Sequence, residues 1–196
     1  MKETNPNSSE TIYWEEPGRK NTRKTLEVVS ETLRTSKIQD VVIASNSGKT
    51  VEEFLEVLDG SSPNTVCVTH HVGFREPGVD EMAEEKREEL KSRDVDLLTT
   101  THALAGVARS IKNDYGGLYP AEIMAETLRM FGQGVKVCVE ISVMALDAGL
   151  VPYGEELIGV GGTGRGADTA CKIRPGHSND VFSTEVREIL CRPKTP

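Results

Sequence analysis

Ser45-Asn46-Ser47-Gly48-Lys49-Thr50 sets three hydroxyls, an amide and an ammonium around one glycine. That is the chemistry of a phosphate grip. If a helix starts here, its free N–H groups and the positive end of its dipole face the anion. Gly48 would let the backbone come close, Ser45, Ser47 and Thr50 would donate hydrogen bonds, and Lys49 would add a full charge. The competing reading is a plain helix cap, for which Ser47 alone would serve. The three hydroxyls and the ammonium around a single glycine favour phosphate. The turn is not a P-loop, because G-x-x-x-x-G-K-[ST] needs a glycine five residues before Gly48 and Ile43 stands there. Nucleoside triphosphate hydrolysis is therefore disfavoured.

A second segment, Gly161-Gly162-Thr163-Gly164-Arg165-Gly166, can cradle another anionic group, with Arg165 as a planar donor. Taken alone it reads equally well as a simple chain reversal; beside the first turn it gains weight. Two further clusters, Thr69-His70-His71 and Thr99-Thr100-Thr101-His102, carry histidines suited to proton transfer, metal ligation or donation to a ligand. The alternative is that they satisfy backbone groups at strand ends. No H-x-x-x-H or C-x-x-C spacing supports a metal, and none is expected. Glu140 lies in an apolar segment and needs a partner there. His177, in a Pro-Gly-His loop, reads as a surface residue.

Each cluster follows a run that reads as a strand. Asp40–Ala44 is a short continuous apolar run, as in a strand buried on both faces. Val66–Val68, Val95–Leu98 and Glu156–Val160 are the others. Around them, helices are expected over about 21–35, with Leu26, Val29 and Leu33 on one face, and after Gly48, with Val51, Phe54, Leu55 and Leu58. Further helices are expected over Val79–Ser92, whose charges read as a solvated face, over Leu104–Ile111, and from Pro120 to Phe131. Residues 135–143 alternate like a strand but run into Met144–Gly149 like a helix. Asp168–Ile173 reads as an antiparallel strand, and Val181–Leu190 as an added edge strand. Strands alternating with helices imply an α/β three-layer sandwich, a mainly parallel sheet with an antiparallel edge. The four clusters then share one rim, outside the carboxyl ends of the strands, where ligands bind in such sheets.

The bulk numbers narrow the partners. The chain has 196 residues and a net charge of −8. An acidic chain gains nothing from a phosphate backbone, so nucleic acid is not an expected partner. No run of 18 apolar residues suggests a membrane span. Residues 1–10 read as a frayed polar tail without a signal-peptide core, and 11–196 as one domain. Four cysteines without C-x-x-C spacing read as reduced thiols, which suits the cytoplasm. Homo-oligomerisation is left open by this pattern.

The Ser45–Thr50 turn together with Gly-Gly-Thr-Gly-Arg-Gly-Ala-Asp-Thr-Ala at 161–170 resembles the stand-alone, mostly archaeal relatives of the pyruvate kinase C-terminal domain. The likeness covers roughly Tyr13 to Pro193. In pyruvate kinases the equivalent turn grips a phosphate of a sugar-phosphate effector, which implies a phosphate role for Asn46, Ser47, Gly48, Lys49 and Thr50. The resemblance implies a helix over 135–146. It implies no pyruvate kinase activity, since that chemistry belongs to a barrel of about 250 residues. It also implies flavin mononucleotide (FMN) as the ligand, its phosphate in the 45–50 turn and its ring near His70, His71, Val72, Gly73 and Thr100, Thr101, His102. Whether a reaction is catalysed is left open. A flavoprotein with a redox role stands first, a regulatory module for a sugar phosphate or other phosphorylated metabolite second, and a lyase or isomerase using the histidines third.

Overall fold

The computed structural model describes residues 9–195, so the expected tail falls outside it except for Ser9 and Glu10. One seven-stranded sheet organises the chain, in the order β1-β7-β6-β5-β2-β3-β4. The strands are β1 (Ile12–Trp14), β2 (Asp40–Ala44), β3 (Asn64–Val68), β4 (Val95–Leu98), β5 (Leu157–Gly161), β6 (Thr169–Arg174) and β7 (Glu185–Pro193). All pairs are parallel except β5–β6 and β6–β7, which lie towards one edge. The chain is thus the expected three-layer α/β protein.

Two cores flank the sheet. On one face α1 (Thr22–Thr35), α2 (Lys49–Val57) and α3 (Glu84–Lys91) bury Leu26, Val29, Phe54 and Leu90 against Val41, Ile43 and Ile158. On the other, α6 (Gln133–Asp147) covers Val42, Val66 and Leu157, with α5 (Pro120–Arg129) against it. α6 is the segment whose residues alternate. Its interior placement explains the ambiguity: it is buried on nearly every side, from Gly134 to Leu146, so its apolar residues need follow no single face. Gly134 is what lets α6 lie so close. A Cβ there would stand 2.0 Å from Thr169 Oγ1.

Several expectations shift. β7 is the expected C-terminal strand, but it begins at Glu185 and is not outermost. β1, too short to show a period, pairs with it from 179 residues away, Ile12 opposite Cys191, and takes the edge. The charged helix starts at Glu84, because Asp80 turns its side chain onto the Met82 amide (2.9 Å) and holds 80–83 out of helix. Its charges are also more than a solvated face. Arg87, 14 % exposed, joins Asp80 to the Thr99 hydroxyl at 2.7 Å. α4 (Gly106–Tyr115) runs past Asn113, stops at the Gly116 cap, and buries no residue. Among the described residues no helix is long and apolar enough to cross a membrane.

Candidate functional site

From β2 the chain moves outward through α2 to β3 and β4. It then returns across the opposite face, through α6, to β5 on the other side of β2. The winding therefore reverses between β2 and β5, and the loops leaving their carboxyl ends diverge to open a crevice. A cleft of about 560 Å³ lies at this rim. Its lining includes Ser45, Asn46, Ser47, Lys49 and Thr50 after β2, His70 after β3, His102 after β4, and Gly162, Gly164, Arg165 and Gly166 after β5.

The 45–50 turn is built differently from a serine cap. Gly48 takes the N-cap position of α2 in the left-handed conformation, φ 82°, without a side-chain cap. Its lack of a side chain is required by packing as well as by φ: a Cβ would meet Lys86 Cγ at 2.9 Å and Leu90 Cδ1 at 3.1 Å, on the α3 side rather than the cleft side. Ser45, buried, accepts the Thr50 amide at 3.2 Å. Ser47 is exposed and caps nothing. The amides of Ser47 and Lys49 make no hydrogen bond to another described residue, so they remain free for an anion at the helix N-terminus.

The Gly161–Gly166 loop is anchored from below by Asp168, which has no exposed surface. Its Oδ2 accepts Thr163 N at 3.1 Å and Gly18 N at 2.8 Å, and Oδ1 accepts the Thr169 hydroxyl at 2.8 Å. Trp14 Nε1 donates to the Asp168 carbonyl at 2.8 Å, and Ala167 N to Thr22 Oγ1 at 3.0 Å. The segment after β1 is thereby strapped to the loop, which carries Arg19 into the cleft.

At the other end Asn46 reaches across to β3. Its Oδ1 accepts the His70 amide at 3.0 Å, which orients the side-chain amide and leaves Nδ2 facing His70 Nε2 at 3.2 Å. That ring nitrogen therefore accepts, and Nδ1–H donates to Glu81 at 2.5 Å, itself paired with Arg75 at 2.8 Å. With both nitrogens engaged, His70 offers its ring rather than a base. Phe74 stacks on it at 3.7 Å, Arg109 sits 5.8 Å from the Phe74 centroid, and His102 lies 5.4 Å from His70. Burial holds His102 below the ordinary imidazole range, opposed by the Glu140 carboxylate and helped by the Lys136 ammonium.

The remaining expected residues lie outside the lining. Gly48 is under α3. His71 turns Nδ1–H onto the Val72 carbonyl at 2.8 Å and presents its ring edge to Phe74 and His102. Val72 is half exposed, and Gly73 donates to Val79 O in a turn. Thr100 and Thr101 face solvent. Gly161 is buried beneath Val137, and the Thr163 amide is spent on Asp168. His177, nearly half exposed at its side chain, pairs with Asp147 at 2.9 Å. Cys67, close to His70 in sequence, donates to the Ser45 carbonyl at 3.4 Å, and burial pushes its thiol up to about 12. Among the described residues no His, Cys, Asp and Glu group could hold a metal ion.

The cleft also contains residues that the sequence did not single out: Arg19, Phe74, Arg75, Arg109, Arg129, Gln133 and Lys136. The one signal in the sequence is Lys136 four residues before Glu140 in an apolar run. Seven cations and three carboxylates, Glu53, Glu81 and Glu140, line the cleft of a chain whose net charge is −8. Arg19, Lys49, Arg109 and Arg165 form no ion pair with a described residue, whereas Arg75, Arg129 and Lys136 do. The family model described as pyruvate kinase, alpha/beta domain, matches residues 23–173, from the first turn of α1 into β6, and so includes both the 45–50 turn and the 161–166 loop.

Proposed function

The chain belongs to the pyruvate kinase alpha/beta domain family, and from that premise we propose that it binds a phosphorylated small molecule, FMN, across the β2–β5 crevice. The observation that carries this reading is the positive charge gathered in the cleft. Four cations there have no ionic partner among the described residues, in a chain that is acidic overall. Unpaired charge at a concave site is what an anionic ligand neutralises. The phosphate takes the Ser47 and Lys49 amides and the Lys49 ammonium, with Arg19 and Arg165 closing over it from the β5 side.

The rest of the cleft suits a flat, partly apolar body. Its volume is within the range of about 300–1,000 Å³ of small-molecule sites. His70 and Phe74 form a stacked aromatic surface, and Val68, Val137, Ile141 and Met144 supply apolar wall. A bound flavin would bring electron- and hydride-transfer chemistry, while the protein's part is to bind and orient it. The double engagement of His70 argues against its use as a lyase or isomerase base.

Purified protein should be yellow or become so with added FMN, and the released compound should have the mass of FMN. Titration of flavin-free protein should show FMN binding well above riboflavin, which lacks the phosphate. Lys49→Ala and Arg165→Ala should each weaken FMN about tenfold or more, the loss of one charge-assisted contact of about 1.5–3 kcal/mol. A shift in melting temperature with a sugar phosphate but none with FMN would replace flavin by the regulatory reading. No response to any phosphorylated compound would overturn the proposal.

A further inference from the structure

Lys136 sits inside α6 with 9 % of its side chain exposed, among Val135, Cys138 and Val139. Its ammonium is bonded to Glu140 Oε2, one turn on. The other oxygen, Oε1, accepts the Leu104 amide at 2.9 Å, in the loop that also carries His102. Such a pair is costly where it stands. Burying two charges is often no better for stability than placing apolar residues of similar size there. Even at a helix surface, where no burial cost is incurred, an i, i+4 pair contributes little to stability. Glu140 has a structural task in holding the 99–105 loop, and a neutral glutamine oxygen would perform it as well. Lys136 has no such task. Its ammonium carries three N–H donors, of which Glu140 takes one, and the residue lines the cleft.

Resting on the reading of the cleft given above, we propose that Lys136 is a second ligand contact: a buried ammonium held by Glu140 against the electronegative edge of the ligand's planar part. The phosphate turn and Arg165 then grip one end of the molecule, and Lys136 meets carbonyl or anionic oxygen at the other. Glu140 is a positioning residue, since it fixes the lysine and the His102 loop together. An ammonium in this place favours negative charge on a bound ring, so it also sets how readily a flavin there accepts electrons.

The test compares wild type, Glu140→Gln, Lys136→Met/Glu140→Gln and Lys49→Ala. The double variant removes the lysine charge without stranding a buried carboxylate, and its fold is checked by its melting temperature without ligand. FMN is the probe, read by its dissociation constant and by the reduction potential of the bound flavin. Glu140→Gln keeps an acceptor for the Leu104 amide but takes away the carboxylate that fixes the lysine, so it should weaken FMN measurably, and by less than the double variant. The double variant should weaken FMN tenfold or more and make the potential more negative. Affinity and potential equal to wild type in a folded double variant would overturn the role of Lys136. If Lys49→Ala still weakens FMN in that case, the phosphate reading stands without it. A wild-type protein that does not bind FMN overturns the flavin reading and the role of Lys136 with it.

Discussion

Asp168 gives the most exacting test of how the cleft is assembled. Its carboxylate is fully buried and meets two amides and one hydroxyl, with no cation paired to it among the described residues. Asparagine can reproduce this set: its oxygen faces Gly18 N and Thr163 N, and its amide donates to Thr169, whose hydroxyl turns to accept. What is lost is the difference between a charged and a neutral acceptor, about 1 kcal/mol per bond, offset by no longer burying a charge. Alanine instead leaves two amides and the Thr169 hydroxyl without a partner, at about 1–3 kcal/mol each; with relaxation of the loop keeping each near the low end, a loss of about 3–5 kcal/mol is expected. At about 2–4 °C per kcal/mol for a chain of this size, the alanine variant melts roughly 6–20 °C lower, and the asparagine variant within a few degrees of wild type. Differential scanning calorimetry reads the stability. FMN titration reads the loop, which should lose affinity only in the alanine variant, because Thr163 and Arg165 are released with it. Equal melting temperatures for the two variants would refute the claim that satisfied amides, rather than charge or packing, hold the loop.

Gly134→Ala should destabilise by about 1–3 kcal/mol or more in urea unfolding, since a Cβ 2.0 Å from Thr169 Oγ1 forces α6 off the sheet. His102, held below its ordinary 6.5 by burial, makes the unfolded chain the better proton acceptor. Its contribution to stability is therefore intact above about pH 6.5 and is lost as the pH falls below it, and His102→Asn should flatten that part of a melting-temperature profile against pH. Burial pushes Cys67 and Cys191 up to about 12 and Cys138 well above its ordinary range. Native protein at pH 8 should then leave these three thiols unreacted with a thiol reagent, and all four should react in denaturant.

Much of this architecture is legible along the chain. Leu26, Val29 and Leu33, or Val51 and Phe54, show their helices because each needs only its own i+3 and i+4 neighbours to define a buried stripe. Asp40–Ala44 shows itself as an interior strand by its unbroken apolar run from Val41 to Ala44. The 45–50 turn and the 161–166 loop were visible for the same reason: their polar groups and glycines are adjacent in sequence. Whether Ser47 caps α2, the reading that competed with phosphate binding, was not, because it depends on where Ser45 and α3 lie. β1 escaped notice because three residues have no period, and its pairing with β7 comes from the far end of the chain.

The order of local elements and the segments able to hold an anion thus follow from short-range pattern. The composition of the cleft does not. Arg19 reaches it because Trp14 bonds to Asp168 across 154 residues, and Phe74 because it stacks on a histidine fixed by Asn46. Lys136 became a cleft residue when α6 closed onto the sheet at Gly134. Each of these depends on contacts between distant segments, which appear only once both cores have packed and the winding of the sheet has reversed at β2 and β5.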